Sequence, residues 1–325
     1  MKKEFEILYN ELKKKRILVD KESLRKHVSQ GFMSVVYVIH SNKGDLILHS
    51  ISPVQEWKKQ KIWEKLKGVA DILNKYNKIP TSEIFFSKKI GNRYFLAQRK
   101  LRGQQAGKRL LTKRGVKDLW IGDKANTLIP EIMEIAADIH KINCKGYGWP
   151  ILKNREIRGQ YKTWKQFFEK EIPVWLQSIK KADIEFKNKK LQKSLGSAKE
   201  YTKYFLNNFP KVDSSQMIHG DIMNPSNILV YKNKISGVLD WEWSIFGDPA
   251  WEFCDAGWWP WLKEKSMTPY FKKYGVEDKK EFIRRVELYK PLWIIWGCHL
   301  HSDNPKGKLY GVLRAMLEDT LKHHF

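Results

Sequence analysis

The sequence predicts an α+β fold with two lobes: a small, strand-bearing N-terminal part and a larger, mainly helical C-terminal part. Three observations carry this. Strand and turn patterns crowd the first hundred residues. Long apolar runs with helical spacing dominate from residue 127 onward. The chain has 325 residues, 42% hydrophobic and 13% aromatic, enough for one large domain or two lobes around sizeable cores.

The elements follow in order. Phe5, Leu8, Tyr9 and Leu12 recur at helical spacing, so residues 2–16 form an amphipathic helix. VSQGFMSVVYVIHSNKGDLILHSI (28–51) reads as strand, turn, strand: β-branched and aromatic residues flank the turn SNKG. WKKQKIWEKLKGVADILNKY (57–76) carries Trp57, Ile62, Trp63, Leu66, Val69 and Leu73 on one helical face. RYFLAQRK (93–100) is another strand. LRGQQAGKRLLTKRGVKDLW, glycine-bearing and polar, reads as a hinge and exit loop. TLIPEIMEIAADIHKI (127–142) is a strong helical pattern, and KTWKQFFEKEIPVWLQSI and KSLGSAKEYTKYFLNNF give two more helices. The predicted boundary divides the chain into 1–101 and 102–325.

Composition narrows the class. The three cysteines, Cys144, Cys254 and Cys298, are far apart and form no CxxC pair. That argues against a disulfide framework or zinc site and for reduced thiols in a cytoplasmic protein. MKKEFEILYNELKKKR lacks the apolar core of a signal peptide, and PLWIIWGCHL (291–300) is too short to span a bilayer. The formal charge of +25 has two readings. One is a polyanionic partner; the other is a biased composition. Lysine outnumbers arginine about four to one and no long basic block occurs, which favours the second and predicts no specific nucleic-acid partner.

The chemistry concentrates in MIHGDIMNPSNILV (217–230) and LDWEWSIFGDP (239–249). Asp221 follows His-Gly in a loop. Asn227 precedes the strand Ile228-Leu229-Val230. After the turn KNKIS, a second strand ends in Asp240. A hairpin therefore gathers two carboxylates and an amide oxygen, a hard oxygen set suited to Mg²⁺. One carboxylate left off the metal can accept a hydroxyl proton. Taken singly, each residue is equally an ordinary turn or cap residue.

The string HGDIMNPSNILV, then LDWEWSIFGDPAWE, resembles the aminoglycoside phosphotransferase and choline-kinase-like family, relatives of protein kinases. HKINCKGYGWP (140–150) adds to the likeness, and residues 28–101 resemble the family's nucleotide lobe more weakly. The resemblance implies a protein-kinase-like fold, with a nucleotide-binding lobe over 1–101 and a catalytic, acceptor-binding lobe over 102–325. It implies transfer of the γ-phosphate of ATP or GTP, with Mg²⁺, to a hydroxyl of a small acceptor. By position, Asp221 is the catalytic base and His219 buttresses its loop. Asn227 and Asp240 hold the metal. Asp248 and Glu252 brace the loop, and Glu242 supports the metal's water shell.

Three departures follow. The loop between Asp221 and Asn227 has one residue more than the family pattern, so Asn224 competes with Asn227 as ligand. The phosphate-clamping lysine is missing from its strand; His49 stands there, on the same strand face as Ile47, which would roof the base. The acid that should pair with that lysine is not singled out: Glu56 and Glu64 flank the slot, with Gln60 between them as its occupant in one alignment. The turn bearing Gly31, Phe32 and Ser34 would cover the phosphates, and Gln98, Arg99 and Lys100 would meet the adenine. Asp255, Trp258 and Trp259 are candidates for the acceptor, because aromatic faces beside a carboxylate suit a cationic or sugar-like molecule; core packing of a helical lobe is the other, favoured reading of the tryptophans. Aminoglycosides, amino alcohols and sugars stay open as acceptors, although a net charge of +25 opposes a polycation. A nucleotide-binding pseudokinase and a polyanion binder are the alternatives.

Overall fold

The computed structural model describes residues 2–26, 35–51, 62–76, 78–112, 115–123, 125–154, 156–185 and 189–322. The chain divides into two compact units: residues 1–104 with 150–157 and 229–242, and residues 105–149 with 158–228 and 243–325.

The first unit begins with α1 (Lys2–Lys14), followed by β1 (Val19–Lys26), β2 (Val35–Ser41) and β3 (Leu46–Ile51). Then come α2 (Ile62–Leu73), β4 (Ile84–Ile90) and β5 (Arg93–Arg99). The strands form one antiparallel sheet in the order β1-β2-β3-β5-β4. Alternation decides its faces. Leu46 and Leu48 of β3 face a core shared with Phe5, Leu8, Tyr9 and Leu12 of α1 and Phe95 of β5. The apolar stripe read in residues 2–16 is therefore the surface that covers the sheet. Ile47 and His49 lie on the opposite face, half-buried.

The second unit is mostly helical. Its helices are α3 (Ala125–His140), α4 (Trp164–Glu185), α5 (Lys189–Asn207), α6 (Thr268–Tyr274), α7 (Lys279–Leu300) and α8 (Lys308–Lys322). Aromatic packing sets much of its core. Trp164 stacks on Phe167 at 4.8 Å between ring centres, and Phe168 stacks on Tyr289 at 5.8 Å. Among the described residues, no helix is long and apolar enough to cross a membrane.

One expectation is corrected. The segment read as a hinge and exit loop contains strands: β6 (Gln104–Gln105), then β7 (Gly107–Thr112) paired with β8 (Gly115–Trp120). The physical reason is visible at its ends. A Cβ on Gly107 would lie 1.9 Å from the carbonyl oxygen of Leu119, so only glycine permits that close pairing. Glycine here permits close pairing at the open end of a hairpin, opposite Trp120, instead of loosening a loop. In register, Arg109 stands opposite Asp118, an oppositely charged cross-strand pair.

Candidate active site

The HGD segment is built on short strands of the second unit, which also contains β9 (Tyr147–Lys153) and β10 (Glu156–Tyr161) in part. β11 (Gln216–Ile218) ends directly before His219 and pairs antiparallel with Ile245–Gly247. Gly220 has φ 86°, and a Cβ there would sit 2.6 Å from the Trp243 carbonyl oxygen. Both facts require glycine between His219 and Asp221.

Glu252 anchors this loop. Its buried carboxylate accepts the backbone N–H groups of His219 at 2.7 Å and Gly220 at 3.1 Å. Burial alone would raise its pKa, but the neighbouring His140 ring, 3.6 Å away, and the backbone N–H of Gly220 outweigh that, and the net shift is downward. Asp248 is also buried. It caps the helical turn 249–254 through the N–H of Ala250 and receives the Tyr289 hydroxyl at 3.0 Å and Arg285 at 3.1 Å. His219 is fully buried, and its Nδ1 accepts the Asp221 N–H at 3.2 Å. That bond puts the ring proton on Nε2.

Asp221 sits at the convergence. Its Oδ2 receives the side-chain amides of Asn224 at 3.1 Å and Asn227 at 2.9 Å. Its Oδ1 receives Nη1 of Arg109 at 2.9 Å. The two asparagines differ in their oxygens. The Asn224 oxygen caps the turn 225–227, accepting the N–H and hydroxyl of Ser226. Asn227 spends its NH₂ group on the Asp221 carbonyl and carboxylate, which leaves its carboxamide oxygen directed elsewhere.

Asp240 lies two residues beyond the second strand of the hairpin made by β12 (Ile228–Tyr231) and β13 (Lys234–Val238), which ends earlier than the sequence pattern predicts, and it belongs to the first unit. It adopts φ 64°, a left-handed conformation that aspartate tolerates better than most residues. Its side chain is open to solvent, yet the protein crowded around it pushes its pKa up to about 6. Oxygen ligands of the types offered by Asn227 and Asp240 fit Mg²⁺. Among the described residues, no three His, Cys, Asp or Glu side chains come together as a metal cluster.

The nucleotide-side candidates divide. Gly31, Phe32 and Ser34 lie outside the described residues, as do Glu56 and Gln60. His49 Nε2 meets the Gln98 amide at 3.2 Å, and burial pushes its pKa down to about 4, so it is neutral at pH 7. The backbone N–H groups of Arg99 and Lys100 bond the carbonyls of Glu83 and Asp45. Their side chains turn outward, Arg99 to Glu83 and Lys100 to Asp45.

The acceptor candidates divide too. Trp258 is fully buried with its ring 4.8 Å from that of Phe253, so it belongs to the core and presents no face to a ligand. The ring of Trp259 is covered by Lys290, 5.4 Å from its centre. Asp255 is buried and caps the turn 256–261 through Gly257.

Two residues were missed. Arg109 is one, described above. Lys65 of α2 is the other: it is 2% exposed, donates to the Glu242 carbonyl at 2.6 Å, and is pushed by burial down to about 7. Its signal was present. Lys65 falls on the same helical stripe as Ile62, Val69 and Leu73, where a lysine interrupts an apolar face.

The phosphotransferase enzyme family matches residues 26–282. No curated protein matches the sequence. Solved structures share the fold at low identity. A thermostable mutant of aminoglycoside phosphotransferase APH(4)-Ia, bound to AMP-PNP and hygromycin B, superimposes with a TM-score of 0.65 at 16% identity, covering 94% of this chain and 95% of that one. Macrolide 2'-phosphotransferase MphH from Brachybacterium faecium gives 0.54 at 16% identity, covering 96% and 97%. The GDP complex of an aminoglycoside 2'-phosphotransferase-IIIa mutant gives 0.57 at 14%, covering 94% and 93%. The α+β, protein-kinase-like fold is shared with these enzymes, and the chain belongs to the phosphotransferase enzyme family.

Proposed function

We propose that this phosphotransferase moves the γ-phosphate of ATP or GTP to a hydroxyl of a small molecule, with Asp221 as the base. The observation that carries this is the Asp221 carboxylate itself: it is held by two asparagine amides on a loop that Glu252 pins by its backbone. A carboxylate so fixed orients an acceptor hydroxyl and takes its proton as the bond to phosphorus forms. His219 sets the loop by accepting the Asp221 N–H. Asn227 and Asp240 would hold Mg²⁺, which neutralises charge on the transferred phosphoryl group. The Asn224 oxygen is committed to Ser226, which favours Asn227 as the ligand. His49, neutral and paired with Gln98, would meet phosphate as a hydrogen-bonding group and not as a cation. The free thiols Cys144, Cys254 and Cys298 accord with a reducing, cytoplasmic setting.

The test is nucleotide turnover by purified protein with Mg²⁺ and ATP or GTP, against aminoglycosides, choline, ethanolamine and simple sugars. Asp221→Asn serves as the blank. Acceptor-dependent ADP or GDP that vanishes in the variant supports the reading. Stabilisation by nucleotide without turnover of any acceptor favours a nucleotide-binding pseudokinase.

A further inference from the structure

The most unusual feature of the second unit is the environment of Arg109. Its guanidinium is largely buried and reaches three carboxylates. Nε and Nη2 grip Asp118 at 2.8 and 3.0 Å. Nη1 and Nη2 grip Asp255 at 2.8 Å each. Nη1 also donates to Asp221 Oδ1 at 2.9 Å. A guanidinium has five N–H donors, and these contacts use all of them. Two of the pairs are bidentate, the strong form of charge-assisted hydrogen bonding. Gly257 is part of the fit: a Cβ there would lie 2.5 Å from Asp118 Oδ2 and 2.7 Å from Arg109 Nη2.

The consequence follows from proximity. A hydroxyl that gives its proton to Asp221 must come within about 3 Å of that carboxylate. One guanidinium nitrogen spans from Asp221 to Asp255, so the acceptor's reacting end lies beside Asp118, Asp255 and Arg109. Without the arginine, three carboxylates there would attract an ammonium group. With it, their charge-assisted bonds are already made from within the chain. An incoming ammonium has to displace a buried guanidinium and break five contacts; an uncharged hydroxyl has no cation to displace. Specificity built by an internal obstacle of this kind is a recognised strategy.

We propose that Arg109 is a specificity-determining residue that serves as a built-in cation, so that the acceptor phosphorylated at Asp221 is an uncharged, hydroxyl-bearing molecule without an ammonium group beside the reacting hydroxyl. This rests on the phosphotransfer reading above and narrows it. The net charge of +25 acts in the same direction.

Two measurements test it. First, kcat/KM is compared within matched pairs, glucose against glucosamine and inositol against an aminoinositol, with kanamycin and choline alongside. The wild type favours the uncharged member of any pair it turns over by at least tenfold, and Arg109→Gln narrows that ratio. A wild type that turns over kanamycin, choline or the amino member as well as or better than the uncharged member overturns the proposal. Second, methylguanidinium binding is measured by calorimetry on wild type, Arg109→Gln and Arg109→Ala, with no nucleotide present. The variants bind it at least ten times more tightly than the wild type. If Arg109→Ala does not fold alone, methylguanidinium restores its folded circular dichroism. Folded variants that gain no affinity, or an unfolded one that is not rescued, overturn the proposal. Because the second measurement needs no turnover, failure of phosphotransfer and failure of the Arg109 assignment are distinguishable.

Discussion

The loop around Asp221 and the strand around His49 differ in how firmly each is held. Asp221 has both carboxylate oxygens engaged, by Asn224, Asn227 and Arg109, and the loop's backbone is fixed by Glu252. His49 shows a contact with Gln98 on the neighbouring strand and sits half-buried on the sheet face away from the core. The family's expected lysine is absent from β3, while a buried lysine appears on α2 at Lys65. The difference teaches where a phosphotransferase tolerates change. The proton-accepting carboxylate needs a fixed position relative to the reacting hydroxyl. A phosphate clamp needs only a donor or cation within reach, which several positions can supply.

Four predictions sharpen the comparison, from largest effect to smallest. Asp221→Asn lowers kcat by about 10²–10⁴-fold while the melting temperature stays within a few degrees, checked by coupled turnover and thermal unfolding. A small activity loss would break the claim that this carboxylate is the base. Glu252→Ala leaves the loop amides of His219 and Gly220 without their acceptor and destabilises the protein by about 3 kcal/mol, read from urea unfolding. Turnover falls with it, because the loop is released. Lys65→Met removes the donor to the Glu242 carbonyl and destabilises the fold by up to about 3 kcal/mol, read from urea unfolding. Unchanged stability would show that the tie between Lys65 and Glu242 contributes nothing to the fold.

The smallest effect concerns pH. His49 has a folded pKa near 4, below its ordinary 6.5, so the unfolded chain binds its proton more readily. Stability is therefore full above about pH 6.5 and declines as pH falls toward about 4. Allowing for the side chain's partial exposure, the decline is on the order of 2 kcal/mol. His49→Leu removes that part of the slope in denaturation series taken at several pH values. An identical slope would mean that the His49 ring is freely solvated.

Much of the arrangement was legible in local pattern. The stripe Phe5, Leu8, Tyr9, Leu12 became the buried face of α1, and the apolar run 127–142 became α3. The turn after Tyr231 was readable as well, with Lys232 and Asn233 both at positive φ. What escaped was decided at long range. Arg109 meets residues 112 and 146 positions away, and no periodicity in the hairpin announces those partners. The hairpin itself was hidden because Gly107 and Gly115 suggested flexibility, where Gly107 in fact permits close strand pairing. Trp258 was undecided in the sequence: an aromatic beside an aspartate reads as core packing or as a stacking platform, and its burial against Phe253 makes it core.

The most direct measurement is a single-turnover reaction with γ-labelled ATP or GTP, Mg²⁺ and the acceptor panel, comparing wild type with Asp221→Asn. The account predicts label transferred to a hydroxyl of an acceptor by the wild type and none by the variant. Label that passes equally in both proteins, or only to water in the wild type with every acceptor, would contradict it.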